Sequence, residues 1–228
     1  MNKLITIILT GLATSIISIS ANAALIDVSG PLSSLGGSAQ IITAPSDISD
    51  DAATNNAQQG FNEVQNHMLI GNLAIDNGSI ASGTTVDSHM IFLNTENNLL
   101  GEQFGVEWTF SGTILGVMSD YYGNLETDSN SFLGASGTTY DSNFAARGLE
   151  GTLANCDMNA QDCYSISGNT LTLTMRVSEP GDWIRVITQS TAQVPEPSTL
   201  LIFSLGLIGL GFTTKKLNNN NTHCTLNA

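Results

Sequence analysis

The chain has 228 residues and a formal net charge of −14 at pH 7, with six Lys and Arg against twenty Asp and Glu. This balance repels phosphate backbones and anionic headgroups, which excludes nucleic acid as a partner and disfavours peripheral membrane binding. Attraction to divalent cations remains open. The plainer alternative is that the acidic residues keep a polar surface soluble.

Residues 1–23 have the layout of a secretory signal peptide. A basic start precedes an apolar core over 4–19, and Ala21-Asn22-Ala23 forms a small-x-small site. We predict that signal peptidase recognises Ala21 and Ala23 and cleaves before Ala24. An uncleaved N-terminal anchor is the alternative.

The exported body is predicted to span residues 24–193, which is about 170 residues and enough for one domain with a proper core. Its first part, up to Gly60, is rich in Ser, Gly and Ala, and we expect loops there after a leading strand. From Phe61 onward, short apolar runs alternate with Asn, Asp, Gly and Ser, which is typical of strands and turns.

No long segment of the body has an amphipathic helical period, so the predicted fold class is all-β. The predicted strands are Leu25 to Val28, His67 to Ile75, Thr85 to Leu93, Gly105 to Phe110, Gly112 to Met118, Thr170 to Val177 and Ile184 to Thr188. Asp76-Asn77-Gly78 and Pro180-Gly181-Asp182 are predicted turns. A single β-sandwich of roughly seven to nine strands fits this pattern, and a jelly-roll fits equally well.

The last two predicted strands show which side chains face inward. In the strand Thr170 to Val177, Thr and Arg side chains point outward and alternate with apolar side chains that point inward. The inward side chains are Leu171, Leu173, Met175 and Val177. The second strand divides into two faces, Ile184, Val186 and Thr188 on one and Trp183, Arg185 and Ile187 on the other.

Cys156 and Cys163 are the two cysteines of the body. In an oxidising compartment they should pair, which would stabilise the fold by roughly 2.5 kcal/mol in the chain-entropy model. A zinc site would need further ligands, and no histidine or third cysteine accompanies them. We therefore predict a disulfide and no metal at this position.

Catalytic residues are hard to find in this body. His67 and His89 form no zinc-protease pair, and no Gly-x-Ser-x-Gly serine is present. His89, near Asp87 on a predicted strand, is expected to be a hydrogen-bonded structural residue. Pairs of carboxylates could support glycoside hydrolysis, but a chain with this many acids will always contain a pair at a suitable distance. We predict no catalytic residue and no enzyme activity.

Two acidic segments could bind calcium. Asp157-x-Asn159-x-Gln161-Asp162 and the segment Asp120 to Asp128 offer oxygen ligands in predicted loops, although neither has the order of a known calcium loop. Calcium is therefore a possible cofactor.

Asp182 and Trp183 are a possible glycan contact. A tryptophan with carboxylate neighbours can stack on a sugar, and acidic surface β-sandwiches suggest this role by fold analogy. The alternative is that Trp183 packs in the core or in a turn.

Near the C-terminus, a proline motif, an apolar run and a basic stop follow one another. They are Val194, Pro195, Glu196 and Pro197, then Leu200 to Phe212, then Lys215 and Lys216. The uncharged stretch, about sixteen residues, would measure roughly 24 Å as a helix, slightly short of a bilayer core. Basic residues beside such a segment stay in the cytoplasm, which leaves the body outside. The prolines favour an extended segment that a peptidase could grip. An ordinary C-terminal anchor is the alternative.

This order of parts resembles the PEP-CTERM sorting signal of Gram-negative bacteria. The resemblance covers residues 194–216 and implies recognition of Val194, Pro195, Glu196 and Pro197 by an exosortase, a membrane-embedded transpeptidase-like enzyme. It also implies a transient inner-membrane intermediate, then the cell surface or extracellular matrix, where such proteins are associated with exopolysaccharide and biofilm. The chain departs from the family pattern in its polar tail, residues 217–228, which includes four consecutive asparagines.

Several strings in the body also resemble an ectodomain that recurs among PEP-CTERM proteins. Two of them are Phe61-Asn62-Glu63-Val64-Gln65-Asn66 and Asp182-Trp183-Ile184-Arg185-Val186-Ile187-Thr188. The resemblance implies a grouping and no mechanism. We expect an exported, non-enzymatic surface or matrix protein; the alternative is a carbohydrate-binding or carbohydrate-active protein that uses acidic loops, with calcium as a possible cofactor.

Overall fold

Strands dominate the part of the chain that the computed structural model describes, which is residues 24–50, 52–141, 147–149 and 162–191. The strands are β1 Leu25–Ser29, β2 Gln40–Ile41, β3 Gln59–Asn62, β4 His67–Met68, β5 Leu73–Ile75, β6 Gly78–Ile80, β7 Thr85–Leu93, β8 Gly101–Phe110, β9 Ile114–Met118, β10 Cys163–Ser167, β11 Thr170–Val177 and β12 Asp182–Gln189. Within these ranges there is one helix, α1 Asn124–Leu133, which lies between β9 and β10. The predicted all-β class is confirmed apart from this helix.

The strands form two larger sheets and one hairpin. The first sheet has the order β1-β8-β11-β10 and is antiparallel throughout. The second has the order β2-β3-β7-β12-β9, with β4 also paired to β7, and β5 and β6 pair only with each other. The last strand of the body, β12, therefore lies between β7 and β9 inside the second sheet.

The two larger sheets share one hydrophobic core. The first sheet contributes Trp108, Phe110, Leu171, Leu173, Met175 and Val177, among others. The second contributes Ile91, Leu93, Val117, Ile184 and Val186. This two-layer arrangement supports the predicted sandwich, because two apolar sheet faces exclude water by packing on each other. The predicted inward row of β11 and the predicted division of β12 into two faces are confirmed.

The second sheet is buried on its outer face as well. Helix α1 and the β5–β6 hairpin pack there through Leu133, Leu73 and Ile80. A neighbouring cluster joins Phe61, Met90, Phe92 and Trp183 to Ile48. Strands covered on both sides consist of almost uninterrupted buried residues, which explains why β7 and β12 do not alternate between polar and apolar side chains.

Several predicted strands are reproduced by the structure, and one is divided. The bounds of β7 and β11 agree with the predictions. The predicted strand His67 to Ile75 is instead two short strands, because Leu69 leaves the sheet and bonds to the loop at Gly83 and Thr84. The predicted turn at Asp76-Asn77-Gly78 is confirmed, and Gly78 has φ 109°, a conformation that glycine adopts without strain.

Helix α1 was not predicted. Its sequence, NLETDSNSFL, is mostly polar, and among its buried residues only Leu133 is apolar. Its other two buried residues, Glu126 and Ser129, are polar, so no apolar period of 3.6 residues marks it in the sequence.

The predicted terminal segments, 1–23, 194–216 and 217–228, lie outside the described residues, so the predicted domain boundaries remain predictions. In the described part of the chain, no helix has the length and apolar character needed to cross a bilayer.

Candidate functional site

A fully buried ion pair lies under helix α1 on the outer face of the second sheet. Arg185, on β12, donates from Nε to Glu63 Oε2 at 2.7 Å and from Nη2 to Glu63 Oε1 at 2.8 Å. Both side chains have 0% exposure to solvent. Two parallel bonds between a guanidinium and a carboxylate fix the angle as well as the distance, so this pair locks β12 to the segment after β3.

Helix α1 supplies the remaining acceptors for Arg185. Nη1 donates to the backbone oxygen of Glu126 at 2.9 Å and to Ser129 Oγ at 2.6 Å, and Nη2 donates to Asn130 Oδ1 at 2.8 Å. All five N–H groups of the guanidinium are therefore bonded. Burial by itself would lower the pKa of Arg185, but the charge and hydrogen bonds of Glu63 raise it above its ordinary value. The arginine stays charged.

Glu63 receives two further hydrogen bonds. Ser88 Oγ donates to Oε2 at 2.6 Å, and Tyr140 OH donates to Oε1 at 2.6 Å. Burial, together with the nearby charge of Glu63, raises the pKa of Tyr140 far above its ordinary value, so the phenol keeps its proton. Tyr140 OH also accepts the backbone N–H of Ala135, which ties the loop after α1 to the same network.

Glu126 is the exception in this network. Its side chain is 1% exposed, and neither carboxylate oxygen has a hydrogen-bond partner on another described residue. Burial raises its pKa well above the ordinary value, and the negative charges of Asp120 and Asp76 raise it further; a hydrogen bond from its own backbone N–H and the charge of Arg185 oppose the shift. A carboxyl in such a site is more stable with its proton than without it.

The predicted glycan contact at Asp182 and Trp183 is corrected by the structure. Trp183 has 0% exposure, and the guanidinium carbon of Arg147 lies 3.7 Å from its ring centroid. Asp182 is 5% exposed. A sugar cannot stack on a ring that is covered by an arginine, so core packing, the alternative, describes Trp183.

Arg147 and Trp183 form a second buried contact, in which a guanidinium lies over an aromatic ring. Arg147 is 1% exposed, and its Nη1 lies 3.4 Å from Asp141 Oδ2. Burial lowers the pKa of Arg147 to about 10, and neighbouring carboxylates, Asp50 and Asp141 among them, oppose that shift. The backbone oxygen of Arg147 accepts the N–H of Trp183 at 2.7 Å. This contact anchors the described segment 147–149 on the sheet.

His89 has the structural role that was expected. Its Nδ1 lies 2.8 Å from Asn62 Oδ1, its Nε2 lies 3.0 Å from Thr188 Oγ1, and its ring packs on Phe110 at 4.9 Å. The side chain is completely buried, which lowers its pKa to about 3. A neutral imidazole with its proton on Nδ1 satisfies both bonds. His67 lies elsewhere, with its ring centroid 5.5 Å from that of Phe132.

The predicted calcium segments have different outcomes. Asp120 is not in an open loop: its carboxylate accepts the backbone N–H groups of Asn124 and Leu125 at the start of α1. The prediction of a calcium loop at residues 120–128 is therefore wrong, since most of this segment is helix. In the other segment, Asp157, Asn159 and Gln161 lie outside the described residues. Within the described ranges, no group of three or more His, Cys, Asp or Glu could hold a metal ion.

Only one of the two cysteines of the predicted disulfide lies in the described residues. Cys163 is buried at the start of β10, and Cys156 belongs to a segment that is not described. Their pairing remains a prediction.

The predicted signal-peptidase positions Ala21 and Ala23 also lie outside the described residues. So do the predicted sorting residues, Val194, Pro195, Glu196, Pro197, Lys215 and Lys216.

A pair of exposed tyrosines was missed by the sequence reasoning. Tyr121 and Tyr122, between β9 and α1, are 43% and 66% exposed and pack edge to face with centroids 5.1 Å apart. The Tyr-Tyr repeat within an acidic segment was the available signal. For the buried pair, the signal was Arg185, a charged residue on a strand whose other side chains are mostly apolar.

These features describe an acidic protein whose body is built from two β-sheets and stabilised by buried charge networks. Its residues 193–216 match the family model of the PEP-CTERM protein-sorting motif. The chain thus carries a signal for exosortase, which indicates an exported protein that is sorted to the bacterial cell surface. Comparison with curated proteins and with solved structures gave no match.

Proposed function

We propose that this protein is a non-enzymatic component of the cell surface or extracellular matrix. It passes through an inner-membrane intermediate, is processed by exosortase at Val194 to Pro197 and associates with exopolysaccharide in a biofilm. The observation that carries the proposal is the sorting motif at residues 193–216, directly after a β-sheet body.

The body supports a structural role through the way its charges are used. Arg185 and Glu63 bond to each other and to neighbouring side chains, and both are shielded from solvent. His89 is neutral and enclosed. Groups held in this way stabilise a fold, whereas catalytic acids and bases must reach the atoms between which they move a proton.

Intact-mass spectrometry tests the sorting step. The protein is isolated from its native host, with and without the exosortase gene. We expect a mature C-terminus near Pro195 to Ser198 that depends on exosortase. An intact C-terminus at Ala228 in both strains would refute the processing.

A matched pair of variants shows whether exosortase recognises the motif itself. Glu196→Gln removes the charge between the two motif prolines, and Glu107→Gln removes an exposed charge on β8. Loss of processing is expected for the first variant only. Equal processing of both would remove Glu196 from the recognised element.

Matrix association is tested by fractionating cultures into cells, matrix and medium. We expect the mature protein in the matrix fraction of a strain that makes exopolysaccharide, and in the medium of a strain that does not. Retention on the cells in both strains would argue for a surface protein without a polysaccharide partner.

Carbohydrate binding is the second candidate function. The exposed pair Tyr121 and Tyr122 is its candidate binding site, because Trp183 is buried. Tyrosine faces can stack on sugar rings, and the two rings of this pair lie at 84° to each other. Replacing Tyr121 and Tyr122 by Ala should abolish retention on polysaccharide affinity gels. Replacing the exposed Phe132 by Ala serves as the control.

Chelation tests the calcium dependence, which is proposed only for the segment Asp157 to Asp162.

The disulfide can be tested on the same material. Cys156 and Cys163 should resist a thiol reagent in denaturant until a reductant is added. Reaction of both without reductant would exclude the pairing.

A further inference from the structure

The two ends of the described body meet at one end of the two-sheet structure. Ala24 N donates to Ser111 Oγ at 2.7 Å, and Ser111 N donates back to the Ala24 oxygen at 2.9 Å. Two residues further on, the oxygen of Thr113 accepts the N–H of Gln189, the last residue of β12, at 2.8 Å. The short turn at 111–113 therefore lies between the first and the last strand.

Neighbouring loops complete this end. Ser190 N donates to the Thr85 oxygen, and Thr85 pairs with Met68 across β7 and β4. On the other side, Ile114 N donates to Gly168 of the β10–β11 turn. We name this surface the acid-free end. It comprises Ala24 and the segments 68–72, 81–85, 111–113, 166–170 and 190–191.

The acid-free end contains no Asp, Glu, Lys or Arg, although the whole chain has twenty acidic residues. Of the acids on strands that reach this end, Asp87 has 0% exposure and accepts a hydrogen bond from Ser190 Oγ at 2.7 Å, whereas Asp27, on β1, is exposed. Two apolar side chains point into solvent here, since Ile70 is 94% and Met68 is 61% exposed.

The opposite end of the body carries acids. Leu93 and Asp182 are paired there, and the loops beyond them contain Glu96 and Glu179. β7 runs from one end to the other, and its nine residues span roughly 26 Å. That distance is about three Debye lengths at physiological salt, so these acids are screened from a surface that touches the acid-free end.

The sorting motif follows this end of the body directly. The last described residue is Thr191, and the matched motif begins at residue 193. Three residues from Thr191 to Val194 can span at most about 10 Å. The apolar run begins at Leu200, nine residues after Thr191, and this stretch can span at most about 30 Å.

We propose that the acid-free end lies against the lipid bilayer while the precursor is held there by its C-terminal segment. This inference rests on the membrane intermediate of the proposed function. The overall charge opposes approach to anionic headgroups, but the body can turn its acid-free end toward them, with Ile70 and Met68 at the interface. The acids of the opposite end then face away from the membrane.

Fluorescence quenching tests this orientation in the precursor whose signal peptide has been removed before Ala24 and whose C-terminal segment is intact. The chain is reconstituted into vesicles of phosphatidylethanolamine and phosphatidylglycerol that contain a nitroxide-labelled lipid. A fluorophore is attached at Ile70→Cys or, as the matched control, at Leu99→Cys, each in a Cys224→Ser background. Leu99 is 49% exposed and lies in the loop after β7, at the acidic end. Intact mass verifies that each chain carries one label.

We expect severalfold stronger quenching at position 70 than at position 99. Thr113→Glu should reduce the quenching at position 70, whereas Leu100→Glu, at the acidic end, should leave it unchanged; circular dichroism shows that both variants fold. Equal quenching at 70 and 99, or stronger quenching at 99, would overturn the proposal, as would a precursor that does not float with the vesicles. Exosortase is absent from this experiment, so a failure of processing shows only in the mass measurement on host material.

Discussion

Arg185 and Glu63 form a two-bonded ion pair in which neither side chain has any exposure to solvent. The pair connects β12, the last strand of the body, with the segment after β3, and helix α1 closes over it. Removing such charges from water is costly, and the cost is offset only when every donor and acceptor is bonded. The guanidinium meets this condition through Glu63, Ser129, Asn130 and the backbone of Glu126.

The first prediction concerns this pair. Arg185→Met should lower the free energy of unfolding by about 3–5 kcal/mol, because it leaves the Glu63 carboxylate buried without its partner. Urea denaturation at pH 7 measures the change. Arg176→Met is the control: Arg176 pairs with Glu102 at 2.7 Å but is 49% exposed, and loss of that pair should cost about 0–1 kcal/mol.

The double variant Arg185→Met with Glu63→Leu distinguishes an unpaired charge from lost packing. It should be more stable than Arg185→Met alone, since no charge then remains buried. Equal losses for Arg185→Met and Arg176→Met would contradict the importance of the buried network.

The second prediction concerns Glu126. In the unfolded chain its carboxyl ionises near its ordinary pKa of about 4.3, whereas in the folded protein burial raises the pKa well above that. The folded state therefore binds more protons between the two pKa values, and its stability falls as the pH rises through that window. Glu126→Gln cannot ionise, so it should be more stable than the wild type at pH 8 and nearly equal to it at pH 4.

Denaturant titrations at several pH values measure this effect. Asp128→Asn, which removes an exposed charge from the same helix, is the matched control. A Glu126→Gln protein whose stability declines with pH as steeply as the wild type would assign the decline to other groups, Asp76 first, because burial raises its pKa in the same direction.

The third prediction concerns His89, whose folded-state pKa is lowered to about 3. Below its ordinary pKa the unfolded chain takes up a proton that the folded protein does not bind. Stability should thus be lost as the pH falls from about 6.5 toward 3, by about 1.4 kcal/mol per pH unit from this group. His89→Gln should make this loss of stability between about pH 6.5 and pH 3 smaller.

Nuclear magnetic resonance gives a test that needs no variant. The imidazole signals of His89 should keep their neutral positions down to about pH 4 while the protein stays folded. A midpoint near 6.5 would show that the ring is not enclosed as the structure describes.

The fourth prediction concerns the contact between β9 and the β5–β6 hairpin. A Cβ added at Gly116 would lie 2.4 Å from Cδ1 of Ile75, closer than two carbon atoms can pack. Gly116→Ala should therefore destabilise the protein by roughly 1–3 kcal/mol through overpacking. Adding Ile75→Ala should restore part of the loss.

Gly71→Ala is the matched control, since nothing lies within 4 Å of a Cβ at that position. Thermal denaturation compares the stability of Gly116→Ala, of Gly116→Ala with Ile75→Ala, and of Gly71→Ala. If Ile75→Ala does not improve Gly116→Ala, the strain originates in the backbone and not in this contact.

The features that sequence reasoning predicted well are those with a local signal. The bounds of β7 and β11 follow from runs of strand-forming residues between turn residues, and the turn at Asp76-Asn77-Gly78 follows from the conformation that Gly78 permits. The sorting motif at residues 193–216 is also a local pattern, which the family model confirms. Each depends on neighbours in the chain.

The features that were missed depend on residues distant in sequence. Helix α1 has no apolar stripe; its position is fixed by Leu133 on the sheet and by polar contacts with Arg185, about 55 residues away. Trp183 looked available to a sugar because the sequence does not show that Arg147 covers it. Residues that meet only after folding leave no periodic mark in the chain.

The sequence by itself determined the strand-rich class of the body, the acidic charge and the sorting motif, because composition, period-two patterning and short motifs are properties of adjacent residues. Only the tertiary structure decided which charges are buried and which surface is free of them. Glu63 and Arg185 lie 122 positions apart, and Ala24 and Gln189 meet at one end of the body through the turn at 111–113. Such pairings follow from the order in which strands join a sheet, and that order is set by the packing of the whole chain.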